Sequence, residues 1–468
     1  ESSHPIQPST VKPLPQPAGV TLLTQSLTNL PPIAKPSHSG RPCASHPPQP
    51  SFGSSKARHP MPHVERPLPC AAAQNTASQK HVNDRNTPAP KRKDAGTRAP
   101  LWGRRDWLRS TLAIGTSTFG SHAWSQSEST RGITVAQVVD MSATQQDISR
   151  DFLTGSRAAW VDLNARGGVQ GKPVQHLVLE TDGTTAQLQS AWKTAHQQAS
   201  CVALSGCVGN AAAQTLARYQ LASETATPLP LVAPWLHQAV EEKSTDTVFD
   251  VFADLRAQIT HALKSLASMG VPELGVAYAT GQDTALAQAA VRQAAQEQSV
   301  KVQRVHSAAQ LTQPIVLFVG GTPELHAFVG QLKLPAGRQC YVIALADVNL
   351  QVLAQMGNLP KRVSIIATQA VPLVSASLPV VRAYREALAK LYDEPPSPQG
   401  LAGFIAARYT AEVLQQMTAP LTRANVLAAL QQRKALNVGG WIPPYQDKKR
   451  SAAFVTQSML SSDGRIVG

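Results

Sequence analysis

Two successive series of short β-branched runs and intervening helical patterns predict an α/β protein built as two lobes, each on a parallel sheet. In the first series, residues 133–139 read as a strand, about 147–164 as a helix and 174–180 as a strand. Residues 186–199 then read as a helix and 201–205 as a short buried strand; a helix follows Gly209, and the chain extends again over 230–233. The second series repeats the order, with 248–252 extended, 254–269 helical, 274–278 a strand and 285–298 a helix. Strands at 300–305, 315–319, 341–345 and 363–368 complete it, with helices between the last three. A two-lobed chain of this kind takes its ligand between the lobes, at the carboxyl ends of the strands.

The joint between the first helix and the second strand carries the most specific local signal. An amphipathic helix with Ala158, Ala159, Val161 and Leu163 runs into Asn164-Ala165-Arg166-Gly167-Gly168-Val169, then Gly171-Lys172-Pro173. Gly167 and Gly168 supply the positive φ that closes a helix, and Gly171 with Pro173 turns the chain into the strand. A phosphate loop is the competing reading of Gly171-Lys172. That loop needs a glycine five residues earlier and Ser or Thr after the lysine, where this chain has Arg166 and Pro173. The stretch is a structural turn.

The 468 residues are enough for two or three domains, and the formal charge of +14 raises the question of a polyanionic partner. Residues 1–125 hold 15 Lys and Arg against 5 Asp and Glu, whereas the remainder holds 28 against 24. The basic excess therefore sits in the prefix, and the body is not expected to bind nucleic acid. Of the five cysteines, Cys43 and Cys70 lie in the prefix, leaving Cys201, Cys207 and Cys340. Their spacing suits neither a disulfide framework nor a metal site; Cys201 and Cys207 flank an apolar strand and read as buried small apolar side chains, and no cofactor is expected.

Residues 1–99 hold 18 of the 36 prolines with almost no apolar periodicity, and are expected to be disordered. Next, Gly103-Arg104-Arg105-Asp106-Trp107-Leu108-Arg109 precedes the mildly apolar Leu112-Ala113-Ile114-Gly115 and the small residues around Ser121, Ala123 and Ser125. This order over 100–125 resembles a twin-arginine signal peptide, which predicts export to the periplasm with cleavage between about Ala123 and Gln126. A signal peptide normally opens a chain, so 1–99 is expected to be an extension foreign to the native protein or a misplaced start. No apolar run approaches the roughly 20 residues that span a bilayer.

Six fragments from 131 to 468 carry a resemblance to a known family. They are the Asn164–Lys172 turn, Leu204-Ser205-Gly206-Cys207-Val208-Gly209, and Ala367-Thr368-Gln369-Ala370-Val371-Pro372. Ser377-Leu378-Pro379-Val380-Val381-Arg382-Ala383-Tyr384, Gly403-Phe404-Ile405-Ala406-Ala407 and Leu421-Thr422-Arg423 follow in order. Together they resemble the type I periplasmic binding proteins of the leucine/isoleucine/valine-binding kind. That resemblance implies two Rossmann-like lobes hinged as a clamshell, with discontinuous boundaries. Lobe one would take 131–247 and 371–445, and lobe two 248–370 and 446–468.

An enzyme reading finds no support, since the chain has no GxSxG elbow, no HExxH, no GxGxxG after a strand and no clustered His and Cys spacing. Candidate ligand contacts come from the strand-end loops. In lobe one these are Ser142 after the first strand, Cys207, Gly209 and Asn210 after the third, and Trp235 with Leu236 after the fourth. The Gly209 and Asn210 amides open a helix and suit a carboxylate, with a plain N-cap the alternative for Asn210; Trp235 suits an apolar wall, with a staple on the lobe surface the alternative. In lobe two, Asp283, Thr322 and Asp347 follow strands. The resemblance implies aromatic residues where Asp283 and Thr322 stand, an acid for the ligand's ammonium group near Asp347, and a selectivity role at Phe404, for which a core position on its alanine-rich helix is the alternative. These features predict a monomeric, exported solute-binding protein that delivers an amino-acid-like or small organic ligand to an ABC permease in the inner membrane. A soluble sensor subunit, or a degenerate module that binds nothing, are the alternatives.

Overall fold

The computed structural model describes residues 132–222, 227–236, 246–279, 284–443, 445–446, 449–450 and 454–468. The proline-rich 1–99, the twin-arginine segment 100–125 and Asp283 lie outside them. The lobe-one sheet comprises β1 (Ile133–Asp140), β2 (Val174–Thr181), β3 (Cys201–Ser205), β4 (Leu231–Val232) and β5 (Val248–Phe249). All are parallel, in the order β2-β1-β3-β4-β5. The lobe-two sheet holds β6 (Glu273–Tyr278), β7 (Lys301–Arg304), β8 (Ile315–Val319), β9 (Cys340–Ala344) and β10 (Val363–Gln369). After a two-stranded ribbon, β11 (Tyr445–Gln446) with β12 (Lys449–Arg450), the chain returns to that sheet. There β13 (Thr456–Leu460) and β14 (Ile466–Val467) join antiparallel, giving the order β14-β13-β10-β9-β8-β6-β7.

Helices cover both faces of each sheet, as parallel strands require. In lobe one, α1 (Gln146–Ala165) packs one face together with three helices that come from late in the chain. These are α8 (Pro379–Leu391), α9 (Pro398–Gln416) and α10 (Arg423–Gln431). Helices α2 (Thr185–Gln197) and α3 (Asn210–Ala222) cover the other face. In lobe two, α4 (Leu255–Ser268) and α5 (Thr284–Glu297) lie on one side, α6 (Thr322–Gly330) and α7 (Leu350–Met356) on the other. The late helices pack in the core beneath the lobe-one sheet, and the last strands join the lobe-two sheet. One boundary falls later than the sequence suggests. Val248 and Phe249 pair with Leu231 and Val232 as the edge of the lobe-one sheet, and Phe249 is buried in the lobe-one core. The first crossing between lobes therefore begins after Phe249.

The Asn164–Lys172 turn is structural throughout. The Gly168 N–H donates to Leu163 O (3.0 Å) and the Gly167 N–H to Asn164 O (3.1 Å), the paired bonds that close a helix through left-handed residues. Gly168 has φ +71, and a Cβ there would meet Lys172 O at 2.0 Å. The Asn164 side chain then clamps the start of β2: its Nδ2 donates to Val174 O (2.9 Å) and its Oδ1 accepts from Val174 N (2.8 Å).

The contact between α1 and α9 is built on missing side chains. A Cβ on Gly155 would lie 1.7 Å from Gly400 O, and one on Gly403 would lie 1.8 Å from Phe152 O. Backbones this close leave room for polar ties. Ser156 Oγ donates to Gly403 O (3.1 Å), and Gln137 Nε2 on β1 donates to Ser156 Oγ (3.2 Å) and Gly206 O (2.7 Å).

Candidate functional site: the junction between the lobes

The carboxyl ends of the lobe-one strands form one wall. β1 ends in Asp140, whose Oδ1 accepts the Ser142 N–H at 2.9 Å, and Ser142 O in turn accepts the Gln145 and Gln146 amides that start α1. Gly209 has φ +104, and a Cβ on it would lie 2.5 Å from the Asp140 Cβ, so the loop after β3 is glycine because it closes on β1. Trp235, after β4, is buried and packs edge-on to Phe152 of α1 (5.9 Å). It also lies 5.3 Å from Phe252 in the first crossing, which reaches Trp441 at 6.3 Å. These four rings make a continuous apolar floor beneath the junction.

Lobe two meets this wall with polar groups. Asp347, after β9, accepts the Trp235 indole N–H at 3.0 Å, a pair 112 residues apart in sequence. Thr322, the first residue of α6, donates its hydroxyl to Asp147 Oδ2 at 2.5 Å. Asn349, the N-cap of α7, donates from Nδ2 to Asp151 Oδ2 at 2.9 Å. Gln399 at the start of α9 reaches across to Ala346 O (3.0 Å) and Val348 O (3.3 Å), the carbonyls flanking Asp347. Gln258 joins this loop to the crossings: Oε1 accepts from Ala346 N and Thr368 Oγ1, both at 2.9 Å, and Nε2 donates to Ala253 O at 3.0 Å.

The junction is acidic. Burial pushes the Asp147 and Asp151 carboxyls above their ordinary range, and nearby acids add to it, Asp347 for Asp147 and Glu394 with Asp147 for Asp151. Their hydrogen bonds to Thr322, Ser397 and Asn349 act in the opposite direction and offset part of the rise. Among the described residues, no group of three or more His, Cys, Asp or Glu is arranged to hold a metal ion.

The sequence candidates divide. Trp235 and Asp347 come together, and Thr322 lies at the same junction. Ser142 and Gly209 shape the loops around Asp140. Cys207 points into the core behind the sheet, on the α2 and α3 side, where full burial pushes its thiol up to about 12; Leu236 joins the same cluster. Phe404 is wholly buried against Tyr384 (5.6 Å) in the lobe-one core. Its alanine-rich helix needs a large apolar side chain there to fill the space beside the close α1 contact. Neither Cys207 nor Phe404 is part of the junction surface. Asn210 starts α3. Sequence reasoning missed Phe152, Asp147, Asp151 and Asn349. The Asp147–Asp151 spacing of one helical turn, at the start of a helix that follows a strand end, is the signal that marks the two acids.

Residues 132–459 match the family described as periplasmic binding protein. No curated protein matches the sequence. Among solved structures, an extracellular ligand-binding receptor from Verminephrobacter eiseniae is 19% identical with a TM-score of 0.63, covering 72% of this chain and 100% of its own. The branched-chain amino acid transporter substrate-binding protein of Streptococcus pneumoniae, solved with isoleucine, is 15% identical with a TM-score of 0.57 (72% and 98% covered). A fatty acid ABC transporter substrate-binding protein from Thermomonospora curvata is 16% identical with a TM-score of 0.56 (72% and 91% covered). The fold these proteins share is the one described above, and with two thirds of its length matched, this chain belongs to the periplasmic binding protein family.

Proposed function

We propose that this protein is the exported solute-binding component of an ABC importer, capturing an amino-acid-like or small organic ligand between its lobes for an inner-membrane permease. The observation that carries the reading is the meeting of Asp347 with Trp235. An acid on lobe two is brought against an aromatic wall on lobe one, the pairing that a ligand with a cationic head and an apolar body needs. Backbone amides of Gly209 and Asn210, at the start of α3, are the candidate donors for a ligand carboxylate. The substrate-binding proteins of similar fold that take amino acids support this ligand class, and the fatty acid relative supports testing beyond it.

A thermal-shift screen of amino acids, aromatic acids, dicarboxylates and fatty acids tests the proposal, because a ligand of the native state raises the melting temperature by mass action. For an amino-acid hit, Asp347→Ala is expected to weaken binding by roughly 2–5 kcal/mol, since the ammonium is left buried without its partner. Unchanged affinity in calorimetry would overturn the ammonium role. The twin-arginine route rests on Arg104-Arg105 and the small residues near Ala123. Replacing both arginines with lysine should hold the precursor in the cytoplasm, and undiminished periplasmic protein would point to a different route.

A further inference from the structure

The two carboxylates that α1 presents to lobe two are placed as a pair. Asp147 and Asp151 stand one helical turn apart, and each holds a residue at the start of a lobe-two helix. Those partners are committed to protein contacts. The Thr322 hydroxyl donates to Asp147 and accepts the Asn349 N–H at 3.0 Å. Asn349 donates to Asp151 while its Oδ1 caps α7 through Gln351 N (3.0 Å) and Val352 N (3.2 Å). Thr322 is 1% exposed and Asn349 0% exposed, so the donor side of both hydrogen bonds is shielded from water while the acids are half-buried, and a charged acceptor strengthens each bond. Gln351 Nε2 adds a bond to Pro396 O at 2.6 Å on the lobe-one side.

We propose that Asp147 and Asp151 with Thr322 and Asn349 form a latch that holds the lobes together through contacts belonging to this chain alone. Thr322 then serves closure rather than ligand recognition. The latch is opposed within itself: closing brings Asp347 of lobe two toward Asp147, whereas Asp147, Asp151 and Glu394 repel one another on lobe one in any position of the lobes. The balance of these terms sets how far the lobes are closed before any solute is captured. This differs from the ligand reading, which rests on Asp347 and Trp235, and either can fail without the other.

Hydrogen–deuterium exchange on the full chain tests it, after unfolding in guanidinium and refolding to strip any co-purified solute. In the parent protein the amides of 320–325 and 345–350 are expected to exchange slowly. In the Asp147→Ala, Asp151→Ala double variant they should exchange about tenfold faster or more, with the β3 segment unchanged. Should the double variant lose protection in β3 as well, Thr322→Val decides from the other lobe and should speed the same two segments. Fast exchange of both segments in the parent, or parent-like rates in a folded variant, would overturn the latch.

Discussion

Helix α1 packs its C-terminal half into lobe one and turns its N-terminal half toward lobe two, and the two halves use different chemistry. From Phe152 onward it meets α9 backbone to backbone, with Gly155 facing Gly400 and Gly403 facing the Phe152 carbonyl. Ser156 and Gln137 tie the contact with neutral hydrogen bonds of 3.1 and 3.2 Å. In the first turns the helix offers Asp147 and Asp151, half-buried carboxylates whose partners are a hydroxyl and an amide of the other lobe. One half has no space to move. The other makes bonds whose strength depends on charge and on the separation of two lobes. A single helix thus joins a fixed interior to an adjustable junction, and substitutions in the two halves should read out differently: folding for one, closure for the other.

The largest effect is expected in the fixed half. Gly403→Ala places a methyl group where the Phe152 carbonyl lies 1.8 Å away, and a carbonyl within a helix cannot rotate aside as a side chain can. The helices must separate, which also breaks the bond from Ser156 Oγ to Gly403 O. A stability loss of roughly 3 kcal/mol is expected, at the upper end for overpacking, and urea denaturation measures it. A midpoint equal to that of the parent would show that α1 and α9 do not approach this closely.

The same contrast explains what the sequence reveals. The strands and helices are legible because apolar periodicity dictates them, and the Asn164–Lys172 turn is legible because left-handed backbone demands glycine at Gly168. Gly403-Phe404 is recognisable for a related reason: the glycine admits α1 and the aromatic fills the adjoining core. Motifs of this kind report backbone constraints, so they identify the fold rather than the site; Cys207 and Phe404 stand in recognisable fragments and face the interior. The junction itself is assembled from residues far apart in sequence, such as Trp235 with Asp347 and Asp151 with Asn349, whose pairing no local pattern encodes. The edge strand Val248–Phe249 was misplaced for the same reason, since only its partner β4 reveals which sheet it joins.

A smaller effect should appear at the far end of the fixed half, where pH becomes the probe. His176 on β2 shares a hydrogen bond with Gln137 Oε1 through Nε2 at 2.9 Å and lies beside Trp160 at 6.1 Å. Burial, with the Arg157 charge adding to it, lowers the His176 imidazole from 6.5 to about 4. The folded state therefore holds the ring neutral while the unfolded chain takes up a proton near pH 6.5. Stability from this residue is complete above that value, falls as the pH drops through it, and levels off below about 4. Allowing for the part of the ring that water reaches, the loss should be about 2 kcal/mol. His176→Gln removes the titrating group, so the difference in unfolding free energy between parent and variant should shrink or invert by that amount from pH 7 to pH 4. Acids that titrate in both proteins, Asp147 and Asp151 among them, cancel in the comparison. A difference that stays constant over the range would mean that His176 is as open to water as in a peptide, and that the interior half of α1 is looser than its glycine contacts require.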